Sequence, residues 1–239
     1  MTQRGSRAGA PLPGLRRACT LGLIGALATG ACHAGSPERP PPSPKAFGPP
    51  SPAEVFGDNP LASSLGLVLE TGAGEVPCEI EPARTPRAAA LFVGLATGRA
   101  PWLDPATGRI VKRPLYRDLP FARVVEGMLV QSGCPVGDAT GHPGYRIEVE
   151  PSGRDAALLE EPGALVLARY TSPPLREDPS PPPPGHLMGS QFAVTLVPMP
   201  HLAGQVTVLG RCRELSTVRT IAASEAPDER PRLRRIRLR

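Results

Sequence analysis

The chain has 239 residues, a formal net charge of +5 and an aromatic content of only 4%. That length suits one domain with a single core, and the core must lean on Val, Leu, Ile and Ala rather than on rings. The charge gathers at the two ends. Six of the last ten residues are arginine, but no aromatic residues interleave them, so the tail reads as a solvated strand face and no nucleic-acid partner is expected.

Arg4, Arg7, Arg16 and Arg17 form a basic leader ahead of a short apolar stretch, Leu21 to Ala31. The stretch is too short to span a bilayer as a helix and reads as part of a signal peptide over 1–31. It ends in Thr-Gly-Ala-Cys, which resembles a bacterial lipoprotein box with Cys32 as the lipidated mature N-terminus. An ordinary signal peptide with Cys32 incidental is the alternative. His33 stands where an aspartate would signal inner-membrane retention. The expected location is therefore the outer membrane, with the protein exported, lipid-anchored and facing the periplasm. Residues 32–60 hold the runs PPPSP and GPPSP. They cannot bury enough apolar surface to offset the entropy of ordering, and read as an extended stalk. A proline-rich ligand for another protein is the alternative.

A folded domain is expected over 61–239. Leu65–Glu70 and Val76–Ile80, around a glycine-containing turn, read as a β-hairpin. Thr85-Pro86 opens a helix, with Thr at the cap and Pro at the first helical position; Ala89, Phe92, Val93 and Ala96 share one face of it. Next comes a loop with Trp102 and a DPATG turn.

The stretch from Leu115 to Tyr145 organises the domain. Phe121, Val124 and Val125, then Leu129 and Val130, read as two arms around a Glu126-Gly127 turn. Arg123 and Gln131 are the polar residues on opposite arms, donors above an apolar floor that can hold a neutral, amide-like ligand. The following segment to Gly144 is too rich in Gly and Pro to be anything but an ordered loop.

Further strands are expected at Tyr145–Glu150, Gly163–Ala168, Phe192–Leu196 and Val206–Leu209. Tyr170 to His186, with the Pro-rich run 173–184, reads as an expanded surface loop. Glu214–Ala223 is a second helix. The tail is a last strand whose alternation slips between Leu233 and Ile236, so a bulge or frayed end is expected there. Many short strands with two helices give a mainly-β class, an antiparallel barrel capped by helices.

Five cysteines are present. Cys19 leaves with the leader and Cys32 is lipidated, which leaves Cys78, Cys134 and Cys212. An odd count in an oxidising compartment suggests one disulfide and one buried thiol. Cys78 alternates with Val76 and Ile80 and so points inward alone; the expected bridge is Cys134–Cys212. No CxxC occurs, and His33, His142, His186 and His201 lack metal-ligand spacing. GSQFA is not a nucleophile elbow and no phosphate loop is present, so no metal or other cofactor is expected.

Two ordered blocks carry a family resemblance. FARVVEGMLVQSGCPVGDATGHPGY resembles the cyclophilin segment F-H-R-V-I-x-G-F-M-I-Q-G-G-D-x-x-x-G-x-G-G-x-G-Y. GALVLARYTS followed by MGSQFAVTLVPMPHLAGQVTVLGR is similar to the cyclophilin run G-x-L-S-M-A-N, then G-S-Q-F-F-I-T, P-x-L-D-G-x-H-x-V-F-G-x-V. The resemblance covers roughly 64–238. It implies a closed eight-stranded antiparallel barrel capped by two helices, and a monomer. It also implies a peptidyl-prolyl cis–trans isomerase that acts on X–Pro bonds of exported proteins and assists their folding. The loop around Trp102 resembles an insertion common in bacterial cyclophilins.

The implied chemistry needs no covalent step. Rotation about a peptide bond is opposed by about 18–20 kcal/mol, because the nitrogen lone pair is delocalised into the carbonyl. A guanidinium that hydrogen-bonds the proline nitrogen favours the twisted state, in which the lone pair has returned to it. The resemblance gives that role to Arg123. Gln131 would fix the arginine and the proline carbonyl, and the main chain of Arg169, beside Ala168, would grip the residue before proline. Gln191 matches within GSQF, and Phe192 is expected in the core. Met128, Leu129, Ala193, Leu202 and Val206 stand at the proline-pocket positions, where cyclophilins carry two Phe, a Met, a Leu and a His. His201 stands at the rim. Ala122 replaces the usual His, and Arg169 the usual Asn. A binding module for proline-containing or extended segments, weak in catalysis, is the second reading.

Overall fold

The computed structural model describes residues 47–58, 60–169, 187–224 and 230–239. The signal peptide, Cys32 and the loop 173–184 lie outside the described residues.

Hairpin-forming residues open the domain. β1 (Leu65–Thr71) and β2 (Gly74–Ile80) pair in antiparallel register, Leu65 opposite Ile80 and Thr71 opposite Gly74. The helix opened by Pro86 runs as α2 (Pro86–Thr97) and buries an unbroken run from Ala88 to Ala96. Thr85 sits at its cap but makes no capping bond. The carboxylate of Glu150 caps the helix from outside, accepting from the Ala88 and Arg87 backbone N–H groups at 2.8 and 3.3 Å. That satisfies donors the helix itself cannot. The Trp102 segment is not wholly loop: β3 (Trp102–Asp104) and β4 (Arg109–Val111) form a separate two-stranded sheet.

The remaining strands are β5 (Arg117–Leu119), β6 (Arg123–Val125), β7 (Leu129–Ser132), β8 (Ala164–Arg169), β9 (Leu187–Thr195), β10 (Thr207–Cys212) and β11 (Leu233–Leu238). With β1 and β2 they make one curled, antiparallel nine-stranded sheet in the order β5-β11-β1-β2-β10-β8-β9-β7-β6. The expected closed eight-stranded barrel is therefore corrected to a curled sheet with two edges. Its edge strands β5 and β6 are consecutive in the chain and separated only by Pro120, Phe121 and Ala122. The covalent chain, not a ladder, bridges the seam there, and Pro120 has no N–H to donate.

Besides α2, the described residues contain α1 (Pro52–Phe56), α3 (Asp155–Leu159) and α4 (Ser216–Ala222), against two helices expected. The capping box of Ser51 and Glu54 starts α1, and Val55 is buried in the core. Phe47 meets Tyr145 edge-on at 5.3 Å between ring centres. The packed body thus reaches back into the proline-rich segment.

Tyr145–Glu150 does not form the expected strand and joins the ladders only through a bridge at Glu148. Its polar groups are engaged elsewhere: the Tyr145 hydroxyl donates to Pro101 O at 2.7 Å, and Glu150 N donates to Thr207 Oγ1 at 2.8 Å. The slip in the last strand is real. Glu70 faces Arg235 while Thr71 faces Leu233, so Arg234 is bulged out and both Leu233 and Ile236 stay buried.

Strand alternation sends side chains to two cores. Leu165, Leu167, Phe192, Val194, Val130 and Leu209 face the main core. At its heart Phe192 packs edge-on against Phe92 and Tyr116, with ring centres 5.4 and 5.6 Å away. Ala164, Val166, Ala193 and Val208 face the other way, into a smaller cluster with Leu158, Leu159, Met199 and Val206. This second cluster carries the site.

The disulfide differs from the expected one. Cys78 and Cys212 are directly opposed across β2 and β10 and are bonded to each other. Among the described residues Cys134 is the free cysteine, and it is buried. The inward alternation of Cys78 holds, but the pairing that gives it a partner joins strands 134 residues apart, which no local pattern reveals.

Candidate functional site

One row of the sheet lays out the site. Arg123 lies opposite Gln131, Gln131 opposite Ala193, Ala193 opposite Val166, and Val166 opposite Val208. Partners in register share a face, so a cation, an amide and an aliphatic floor follow in that order from the edge inward. Beside the row runs a second, Val125 to Leu129. The β6–β7 turn closes with Met128 N donating to Val125 O at 2.9 Å, and Gly127 supplies the positive φ of 66° it requires.

Above this floor is a cavity of about 420 Å3. The structure brings ten of the sequence-predicted residues together around it: Arg123, Met128, Leu129, Gln131, Ala168, Arg169, Ala193, His201, Leu202 and Val206. Val125, Val166, Met199 and Gln205 also line it and were missed. Two of them were legible by alternation, Val125 two residues from Arg123 and Val166 two from Ala168. Met199 and Gln205 flank the 3-10 turn Pro200–Leu202, whose shape no period encodes.

Gln191 does not line the cavity. It is fully buried behind Gln131 and orients it. The Gln191 amide donates to Gly141 O at 2.7 Å and Ala139 O at 3.1 Å, which uses both its hydrogens. Its oxygen therefore faces Gln131 and accepts from Nε2 at 2.6 Å. Gln131 Oε1 is left to accept from another donor. No hydrogen bond joins it to the Arg123 guanidinium among the described residues; Arg123 is exposed at the mouth.

The glycine-rich loop is the backing of this arrangement. Gly133, at φ 91°, comes so near β9 that an added Cβ would stand 2.3 Å from Ser190 O. Cys134 Sγ accepts from the backbone N–H of Gly137 and Gly141 at 3.3 and 3.2 Å, holding the turn whose carbonyls grip Gln191. Burial disfavours charge on Asp138, but hydrogen bonds from Thr140 and Cys134 outweigh it and hold that carboxyl below its usual range. Burial, and then the Arg146 charge, lower the His142 pKa, consistent with its Nδ1 accepting from Gly144 N at 3.0 Å.

The sequence model described as cyclophilin type peptidyl-prolyl cis-trans isomerase/CLD matches residues 67–239, which is most of the chain. The chain belongs to the cyclophilin family. It is similar to peptidyl-prolyl cis-trans isomerase B of Streptomyces anulatus, 31% identical over 174 residues that cover 72% of this chain and 90% of that protein. Peptidyl-prolyl cis-trans isomerase A of Mycobacterium tuberculosis is 28% identical over 168 residues, covering 70% and 82%. The cyclophilin fold is also that of a Cryptosporidium parvum cyclophilin type peptidyl-prolyl cis-trans isomerase crystallised in the presence of the dipeptide ala-pro. That structure superposes with a TM-score of 0.53 at 21% identity, covering 73% of this chain and 98% of that one. Within this cyclophilin domain the cavity floor is aliphatic at Ala193 and Val206, without the rings found at those positions in the family pattern.

Proposed function

We propose that the domain is a peptidyl-prolyl cis–trans isomerase and that Arg123 is its catalytic residue. The observation that carries this is the row Arg123, Gln131, Ala193, Val166 across four hydrogen-bonded strands. A proline ring resting on Ala193 and Val166 brings its amide beneath the arginine and the glutamine. The guanidinium donates to the proline nitrogen as the bond twists, Gln131 holds the carbonyl side, and Gln191 keeps Gln131 correctly turned. The uncatalysed exchange takes tens to hundreds of seconds, so the activity is read directly from acceleration of a chymotrypsin-coupled proline-peptide assay. No acceleration at micromolar protein, with the peptide shown to bind, would leave the second reading. That reading, a module that holds proline-containing segments with little catalysis, is favoured by one observation, the aliphatic floor at Ala193.

The finer reading is that the protein is exported, lipid-anchored through Cys32 at the outer membrane, faces the periplasm and acts there as a monomer on exported proteins. The Cys78–Cys212 disulfide supports an oxidising compartment, and the Thr-Gly-Ala-Cys sequence supports the anchor.

A further inference from the structure

We propose that the site selects segments with an acidic side chain next to the proline, and that Arg169 is the residue that reads it; this rests on the isomerase reading of the cavity. The irregularity in the β8–β9 pairing between Leu167 and Arg169 turns Arg169 onto the cavity rim beside Ala168 instead of alternating away from it. Its exposed side chain is nonetheless held: Nη1 donates to Gln205 Oε1 at 3.0 Å, and Gln205 Nε2 donates to the His201 carbonyl at 2.7 Å. Both acceptors are neutral, so the guanidinium is oriented without being neutralised.

Among the described residues neither Arg169 nor Arg123 forms an ion pair, and no described residue lining the cavity is acidic. The described residues of the mouth therefore present two positive charges to whatever enters, and a concave wall of one sign concentrates the opposite sign. The floor of Leu129, Val166, Ala193 and Val206 accepts only an apolar group, so a charge on the bound segment must stay at the rim. Arg123 is engaged by the reacting amide. Arg169 is the charge left to meet a flanking carboxylate.

The test is NMR exchange spectroscopy on peptides with Glu, Gln or Lys on either side of a single proline, in low and high salt. With wild-type protein the Glu peptide should exceed the Gln peptide in kcat/KM by roughly three- to tenfold at one flanking position, with Lys below Gln, and salt should compress the spread. Arg169→Lys should keep this order, Arg169→Gln should level it, and Arg169→Glu should invert it. A purely structural role would lower all three peptides together and leave the order intact, and that result overturns the proposal. Equal rates for Glu, Gln and Lys peptides at both positions overturn it too, while leaving the isomerase reading in place. Absence of exchange with every peptide overturns the isomerase reading instead. Peptide affinities from chemical-shift titration then decide: Glu tighter than Lys sustains the selection, and equal Kd values, or no binding, end it.

Discussion

At the scale of single residues, the site divides into one group that must act and others that must hold still. Arg123 stands at the exposed edge of the row, with no described partner that would need rearranging before it meets substrate. In the proposed mechanism its hydrogen bond strengthens as the amide twists, so Arg123→Ala should reduce turnover far more than peptide affinity. Removing a charge-assisted bond to a transition state costs on the order of 2–4 kcal/mol, or roughly 30- to 1000-fold in rate. Arg123→Lys should recover little of this, because an ammonium lacks the planar fork that reaches nitrogen and Gln131 together. Steady-state rates beside titrated affinities, at matched thermal stability, check both; an unchanged rate in Arg123→Ala would remove the arginine from the mechanism. Ala193→Phe works on the floor. Ala193 is buried and faces the smaller cluster, so a ring there should tighten proline binding where it can rise into the cavity. The readout is Kd for a proline peptide, after folding has been confirmed.

Elements show why some of the structure was legible in the sequence and some was not. Ala193 was placed in the site by the family resemblance alone, whereas Arg123 and Gln131 were readable as facing donors because strand period fixes which side chains share a face. The slip at Leu233 to Ile236 was readable for the same reason, as two inward residues three apart require one extra residue between them. Tyr145–Glu150 alternated convincingly, yet its partners are a helix end, a hydroxyl and a loop carbonyl, all distant in sequence. Glu150 shows how much rests on such contacts: Glu150→Ala should leave the start of α2 uncapped. A cost of about 1–2 kcal/mol is expected, which for a domain of this size lowers Tm by roughly 2–8 °C. The last strand adds a pH dependence. Hydrogen bonds from Arg235 and then Arg237 hold the Glu70 carboxyl below its ordinary range. Glu70 is thus more acidic folded than unfolded, so its support for the β1–β11 pairing is complete above the ordinary carboxylate pKa of about 4.3. It is lost as pH falls through the lowered value. Thermal unfolding of wild type and Glu70→Gln should differ at pH 7 and converge in acid; a constant difference would assign the effect to shape alone.

For the whole molecule, the fold is tied together by links that composition and period cannot announce: the short crossing between β5 and β6 that bridges the two sheet edges, the packing of Phe47 and Val55 onto a body far along in sequence, and one disulfide among the described residues. The proposed anchor is a separate matter: a lipid on Cys32 would attach the chain to the membrane. Cys32→Ser should move the protein to the soluble fraction, and persistence in the membrane would end that reading. The disulfide makes the larger claim. Cys78 and Cys212 are both buried and enclose 134 residues of sequence separation. Cross-linking so distant a pair restricts the unfolded chain and stabilises the fold by roughly 3–5 kcal/mol. Replacing both with Ala should then lower Tm by roughly 6–20 °C for a domain of this size. The site should be spared. Cys212 ends β10 on the main-core side, whereas the cavity takes its walls from the opposite face of β7, β8 and β9. Peptide turnover at 25 °C should therefore be unchanged in the double variant while its melting temperature falls. Peptide mapping without reductant should show Cys78 joined to Cys212 and Cys134 as a thiol. A melting temperature indifferent to reductant, or a bridge to Cys134, would show that the two long strands are held by their ladder alone.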